Sequence, residues 1–457
     1  ISVRSIFEHS TIASLATLIS GKEPSHQVVI AVGNRPDHLP LSFTQERLWI
    51  VDKLDGSIQY HLPALLRVSG ALDLAVLSSS LRAVVARHES LRTIFYEEDG
   101  NAYQRIISAE NFSITELSPA LFDNGLVSKT TLSELLAIPF DLSSDYMIRA
   151  SHLSLDSDDH VLLLEMHHIA SDGWSIPLLV KELESIYSAQ LMGVQANLPL
   201  LPIQYADYSL WQRNYLQGGL LESKLDYWVS HLEGVEVLSL PTDYPRPPVQ
   251  QTDGSRHRFE IGSELTKELR SICHDQGATL FMVLLSMYKI LLSKYSGQSD
   301  ICVGVPIANR DQTEVSSLIG FFVNTLALRS EVGQDLSYLA FLSQIKEMTL
   351  SGYSHQDVPF ERVVDRVVRT RDLSRSPLFQ TMFVLQNNEQ VVDVHLGDNK
   401  VSFVDFSSGT SKFDLEFIAV EHEDHLALEI EYSTALFKQE TIERMSFHFK
   451  ELIQSIL

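Results

Sequence analysis

The residues of this chain whose types and spacing best suit chemistry are two adjacent histidines, His167 and His168, followed by Asp172 and Gly173. A neutral imidazole, with an ordinary pKa of about 6.5, can take or hold a proton near pH 7, so it can serve as base for a hydroxyl, thiol or amine nucleophile. An apolar run at 161–164 leads into the pair. A helical stripe of Leu179, Leu183, Ile186 and Tyr187 follows it. The pair therefore sits at the end of a buried strand, where the chain turns. Neighbours on a strand point to opposite faces, so one histidine faces a cavity and the other the protein body. Ser171 and Asp172 are N-cap types, and Gly173 permits a sharp turn or the close approach of a ligand. Histidine and aspartate also bind metals, but no cysteine and no second His/Glu cluster stands nearby at ligand spacing.

The elements that must position these groups alternate along the chain. A helix is expected over 74–87, where Leu77, Leu81, Val84 and Val85 share a face, and a buried strand over 161–166. The proline-rich stretch 240–252 cannot continue a helix and is expected to cross between two lobes. Beyond it come an apolar helix over 280–295 closed by Gly297, a strand over 300–306, a hairpin at 412–420 and 425–432, and a last helix over 441–457. The chain's 457 residues, 44% of them apolar, suffice for two cores. Its 35 Lys and Arg against 59 Asp and Glu, a formal charge of −24, argue against nucleic acid. Two cysteines in no motif, no signal peptide and no apolar run of about 20 residues make a cytoplasmic protein with no membrane span the expectation.

The segment His167-His168-x-x-x-Asp172-Gly173 resembles the HHxxxDG signature of nonribosomal peptide synthetase condensation domains. Six further segments resemble that family's motifs in order: 41–49 (LSFTQERLW), 87–95 (RHESLRTIF), 205–213 (YADYSLWQR), 319–325 (IGFFVNT), 355–361 (HQDVPFE) and 371–380 (RDLSRSPLFQ). Residues 1–20 resemble the last helices of a peptidyl carrier domain. No Gly-Gly-x-Ser type attachment site for phosphopantetheine appears; Gly218-Gly219 is followed by leucine. The resemblance implies an α/β fold of two chloramphenicol-acetyltransferase-like lobes in a V-shaped pseudo-dimer, with the active site in a tunnel between them. The implied organisation is a carrier tail at 1–20, a linker at 21–40, a first lobe at 41–215 and a second at 216–457, with the segment from Ser376 to about Asn388 helping to cross back to the first lobe.

The implied reaction is peptide-bond formation. An upstream carrier presents a donor acyl thioester, and the α-amine of an aminoacyl thioester on a downstream carrier attacks it. Both arrive on phosphopantetheine arms within a larger chain that also holds an adenylation domain; this chain itself is expected to be a monomeric module that binds no cofactor or metal directly. An α-amine has a pKa of about 7.7–8.0, so a useful fraction is already neutral at pH 7. His168 carries the family's catalytic role, as a base or as the group that holds the amine, and His167 a structural one. Asp172 resembles the family's ion-paired aspartate, with Arg92 first and Arg149 second as candidate partners; a helix N-cap is its alternative role. Gly173 is a candidate oxyanion donor, Trp174 a pocket wall, and Asn324 either a hydrogen-bond donor near the site or a turn residue. His88 and His355 are read as structural. The segment 171–175 and the 371–377 segment look like the subtype that takes L-configured donors. Epimerization on the same fold, a free-standing coenzyme A acyltransferase and a non-catalytic recruitment module are the alternatives.

Overall fold

A strand that carries leucine at 162, 163 and 164 has no polar face to show to water there, so it must be covered on both sides. The computed structural model describes residues 3–21, 29–118, 122–123, 126–127, 129–370, 372–386, 394–406 and 409–457. In it the strand Asp159–His167 lies inside a six-stranded sheet, antiparallel to His61–Ser69 on one side and to Ile148–Ser154 on the other. Leu162, Leu164 and Met166 pack on one face against the helices Leu74–Arg87 and Ser175–Leu191, through Leu81, Val84, Leu179 and Leu183. Leu163 and Val161 pack on the other face with Leu132, Leu136 and Leu153. The strand is thus gripped from both sides and ends rigidly at His167.

The second half of the chain builds another six-stranded sheet, in the order Gly254–Ile261, Leu426–Ser433, Leu415–Glu421, Thr381–Gln386, Asp300–Ile307, Asn324–Glu331. Thr381–Gln386 runs parallel to both its neighbours. Helices Leu280–Ser296, Tyr338–Tyr353 and Gln439–Ile456 bury the largest core against one face, with Phe383, Phe417 and Phe449 at its centre. Thr279 caps the first of these helices by accepting from Met282 N at 3.2 Å. Gly297, at φ 74°, ends it in the left-handed region that favours glycine. Among the described residues no single helix is long and apolar enough to cross a membrane.

Three expectations about chain path change. The proline-rich stretch does not cross between lobes: Asp243 N donates to Leu436 O, Gln250 N to Leu373 O, and Arg246 pairs with Asp414, all within the second half. The preceding helix, Gly218–Leu232, already buries Trp228 and Leu232 in the second core, so the crossing comes before it. The return crossing lies later than expected. Thr381–Gln386 stays in the second sheet, and it is the hairpin Val394–Leu396 and Asn399–Phe403 that joins the first sheet, pairing with His61–Ser69. Asn388 and Arg371 lie outside the described residues, as do residues 22–28 of the expected linker. The rest of that linker is docked: Ile30 is buried, Arg35 pairs with Glu89 at 2.8 Å and Asp207 at 2.9 Å, and Leu39–Pro40 pairs as a strand with Tyr103 and Gln104.

Candidate active site

The two histidines part company at the strand end. His167 is fully buried. Its Nδ1 accepts from Ile169 N at 3.1 Å, so its proton sits on Nε2, which donates to Ser57 Oγ at 2.8 Å; Ser57 in turn donates to Asp52 at 2.5 Å. Burial first, then the neighbouring His61 and His168, hold its pKa well below the usual histidine range. This neutral ring is spent on bonds within the protein.

His168 opens a single 3-10 turn, His168–Ala170, and is half-buried. Its ring meets Phe321 edge-on at 4.7 Å and Tyr60 at 6.3 Å. Phe321 comes from the second half of the chain and Tyr60 from the first, so the ring stands between the lobes. Burial, followed by the charge of Lys412, pushes its pKa down to about 3. Nδ1 is shielded and makes no well-formed hydrogen bond, although the backbone of His168 and Ser171 acts weakly to raise the ring's pKa. The imidazole is therefore neutral at physiological pH.

Asp172 is also fully buried, and its partner corrects the sequence expectation. Arg310 Nη2 lies 3.0 Å from Oδ1 and 3.1 Å from Oδ2. Ser175 N and Oγ donate to Oδ1 at 3.1 and 2.8 Å, and Phe322 N to Oδ2 at 3.2 Å. The carboxylate thus caps the following helix and also ties the turn to the 310–322 loop of the second half. Arg92 is spent elsewhere, donating to Ile107 O at 2.7 Å and Ala86 O at 3.3 Å. Arg149 serves Ile138 O, Pro139 O and Asp145 and covers the Phe140 ring. Both hydrogen-bond to partners no more than fifteen positions away, whereas Arg310 reaches Asp172 from 138 positions away, a separation at which no local pattern operates.

Gly173 and Trp174 are exposed. A Cβ on Gly173 would meet nothing within 4 Å, and its φ is outside the left-handed region, so neither room nor backbone strain demands glycine there. What the missing side chain leaves open is close approach from outside. Asn324 is not available to a substrate: its amide donates to Gln356 O and Val358 O, both at 2.7 Å, and its Oδ1 accepts from Phe360 N at 3.0 Å. It pins the 356–360 loop to the start of the strand Asn324–Glu331. His88 bonds Glu182 at 2.8 Å and accepts from Ile319 N at 3.3 Å. Sequence reasoning missed Ser57, Tyr60, Phe321, Arg310 and Lys412; only Phe321 lay in a quoted motif next to the site. Among the described residues no group of three or more His, Cys, Asp or Glu could hold a metal ion.

A model of the condensation domain family matches residues 35–457. The chain belongs to the condensation domain family. Over 459 residues it is 38% identical to gramicidin S synthase 2 of Brevibacillus brevis, covering 100% of this chain and 10% of that protein. Over 458 residues it is 37% identical to bacitracin synthase 3 of Bacillus licheniformis, covering 99% of this chain and 7% of that protein. This condensation domain chain thus spans about a tenth of the length of the curated relatives it matches. Among solved structures it is similar to the X-domain from teicoplanin biosynthesis, with a TM-score of 0.85 and 24% identity over 94% of this chain and 97% of that one. It is likewise similar to a four-domain nonribosomal peptide synthetase bound to AMP and glycine, with a TM-score of 0.83 and 22% identity over 94% of this chain and 34% of that one. These likenesses at low identity show the two-lobed α/β fold.

Proposed function

We propose that this condensation domain joins a donor acyl thioester to the α-amine of an acceptor aminoacyl thioester, both delivered on the phosphopantetheine arms of carrier domains. The observation that carries the reading is His168: a neutral, half-buried imidazole between the lobes, on a turn locked by the buried Asp172–Arg310 pair. Aminolysis of a thioester needs a neutral amine held in line with the carbonyl, and positioning supplies much of the rate. A ring that resists protonation cannot repel an incoming amine and offers it a lone pair to bond. This favours His168 as the group that holds the amine and steadies the tetrahedral intermediate over a strong resting base. Gly173, exposed in the same turn, is the proposed site of close approach by the reacting chain.

Residues 1–20 are read as the tail of an upstream carrier. The first of their helices, Val3–Glu8, leans on Tyr338–Tyr353 of the second lobe through Arg4–Glu347 at 3.1 Å and Phe7 under Lys346, and Ile12–Ser20 follows it. Residues 41–215 and 216–457 are read as the two lobes, the donor as L-configured, and the working assembly as a larger synthetase with an adenylation domain. The test is His168→Ala with donor and acceptor loaded on separate carriers, the product on the acceptor carrier read by intact mass. The expected loss is about 100-fold or more. Undiminished product would overturn the role of His168. Exchange of the Cα proton without a gain in mass would make the domain an epimerase.

A further inference from the structure

The wall that faces the histidine turn comes from the second lobe and is charged. Lys412, just before the strand Leu415–Glu421, is half-buried, with its Nζ 5.1 Å from the centroid of the Tyr60 ring. The same ring meets His168 edge-on at 6.3 Å, so the cation and the imidazole share one aromatic neighbour. The groups acting across this space are Glu416, Glu431, Glu429 and Arg256, together with the two histidines. Arg256 is committed to Glu431 at 3.1 Å and Glu429 at 3.4 Å. Among the described residues the Lys412 ammonium meets no carboxylate at ion-pair distance and no hydrogen-bond acceptor, its contact being the Tyr60 face. The ammonium is held on an aromatic face with no fixed anion beside it, so a ligand bearing negative charge can take it as a partner.

The amide-forming step generates such charge twice. When the amine nitrogen bonds to the thioester carbon, the carbonyl oxygen becomes negative. When the C–S bond breaks, the pair departs on sulfur, which takes up the proton that the nitrogen gives up. The products are an amide and a free thiol. Fixed donors and charges aimed at developing charge act most strongly where water is excluded. We propose that Lys412 is a further catalytic residue of this step, its ammonium, held on the Tyr60 face, stabilising first the oxyanion and then the departing thiolate. This rests on the amide-forming reading above. The lysine keeps its own proton throughout.

The experiment compares the parent chain with Lys412→Met, Lys412→Gln and Lys412→Arg, using donor and acceptor aminoacyl thioesters on carriers, with melting temperatures measured in parallel. If the parent chain makes no amide, the reading of the domain fails before this one is reached. With parent turnover in hand, Lys412→Met is expected to lower kcat about tenfold or more, with KM for either thioester little changed. Lys412→Arg is expected to recover most of the rate. The acid limb of the rate against pH should move upward in Lys412→Met, because removing the cation lets the His168 pKa rise. Should the methionine variant fail to fold, the glutamine variant is read in its place. A neutral variant that turns over within twofold of the parent overturns the proposal. So does a loss that arginine does not restore, or one that tracks melting temperature alone.

Discussion

The two sheets present opposite characters to the space between the lobes. The first-lobe strand Asp159–His167 is apolar on both faces over its centre, 161–164, carries Glu165 paired to His61, and leads into two histidines whose charge is suppressed by burial. The second sheet keeps Leu415, Phe417 and Ala419 toward its helices and turns a ladder of charges the other way. There Arg256 stands directly opposite Glu431, and Glu431 directly opposite Glu416, across three strands. Like charges directly opposite are unfavourable, and burial adds to this: burial first, then Glu431, pushes the Glu416 pKa up to about 7. One lobe supplies a largely apolar platform that fixes geometry, and the other supplies the field. On the amide-forming reading proposed above, an amine and a thioester would meet a neutral imidazole on one side and an ionic wall on the other.

The comparison breaks most severely at the lock between the halves. Asp172→Ala is expected to cost about 3–5 kcal/mol of stability, because it leaves the Arg310 charge buried and unmatched. Denaturant unfolding of Asp172→Ala, Arg310→Ala and the double variant measures it, and the double should lose less than the two singles together. A single variant as stable as the parent would mean that the pair does not hold the lobes. Next comes the platform. Leu164, almost fully buried three residues before the histidine pair, should cost about 2–5 kcal/mol as Leu164→Ala. Its activity at a temperature where it stays folded should fall less than that of His168→Ala.

The ladder gives a subtler, pH-dependent effect. The folded state raises the Glu416 pKa above its unfolded value of 4.5, so the folded chain binds a proton that the unfolded chain has released. Stability from this pair is therefore full below about pH 4.5 and is lost as pH rises to about 7. Glu431 is raised in the same direction, and the two titrate together. Glu416→Gln should flatten stability against pH across that window and leave the variant more stable than the parent above it; an unchanged profile would show that the carboxyls do not sense each other. The smallest effect belongs to the exposed end of the first sheet, where Arg67 pairs with Asp159 at 2.5 Å with 45% of its side chain in solvent. Arg67→Ala should cost below about 1 kcal/mol, and less in high salt.

The sequence by itself determined what depends on neighbours in the chain. The helix expected at 74–87 is Leu74–Arg87, and the one at 280–295 is Leu280–Ser296, because apolar spacing and the caps at Asp73, Thr279 and Gly297 are written within a few residues. The strand into His167 was legible for the same reason, but His168 lies past its end in a 3-10 turn, so strand alternation is not what sets the two histidines apart. What the tertiary structure alone decided are the partnerships between distant segments. Arg310 for Asp172, Phe321 and Tyr60 around His168, Lys412 on the opposite wall and the return of Val394–Phe403 to the first sheet all join segments more than a hundred residues apart. Asn324 was ambiguous in sequence because asparagine suits both a turn and a donor role; only the positions of Gln356, Val358 and Phe360 settle which bonds it makes. Periodicity and capping are local, short-range effects, whereas ion pairing and desolvation depend on which surfaces the whole fold presses together.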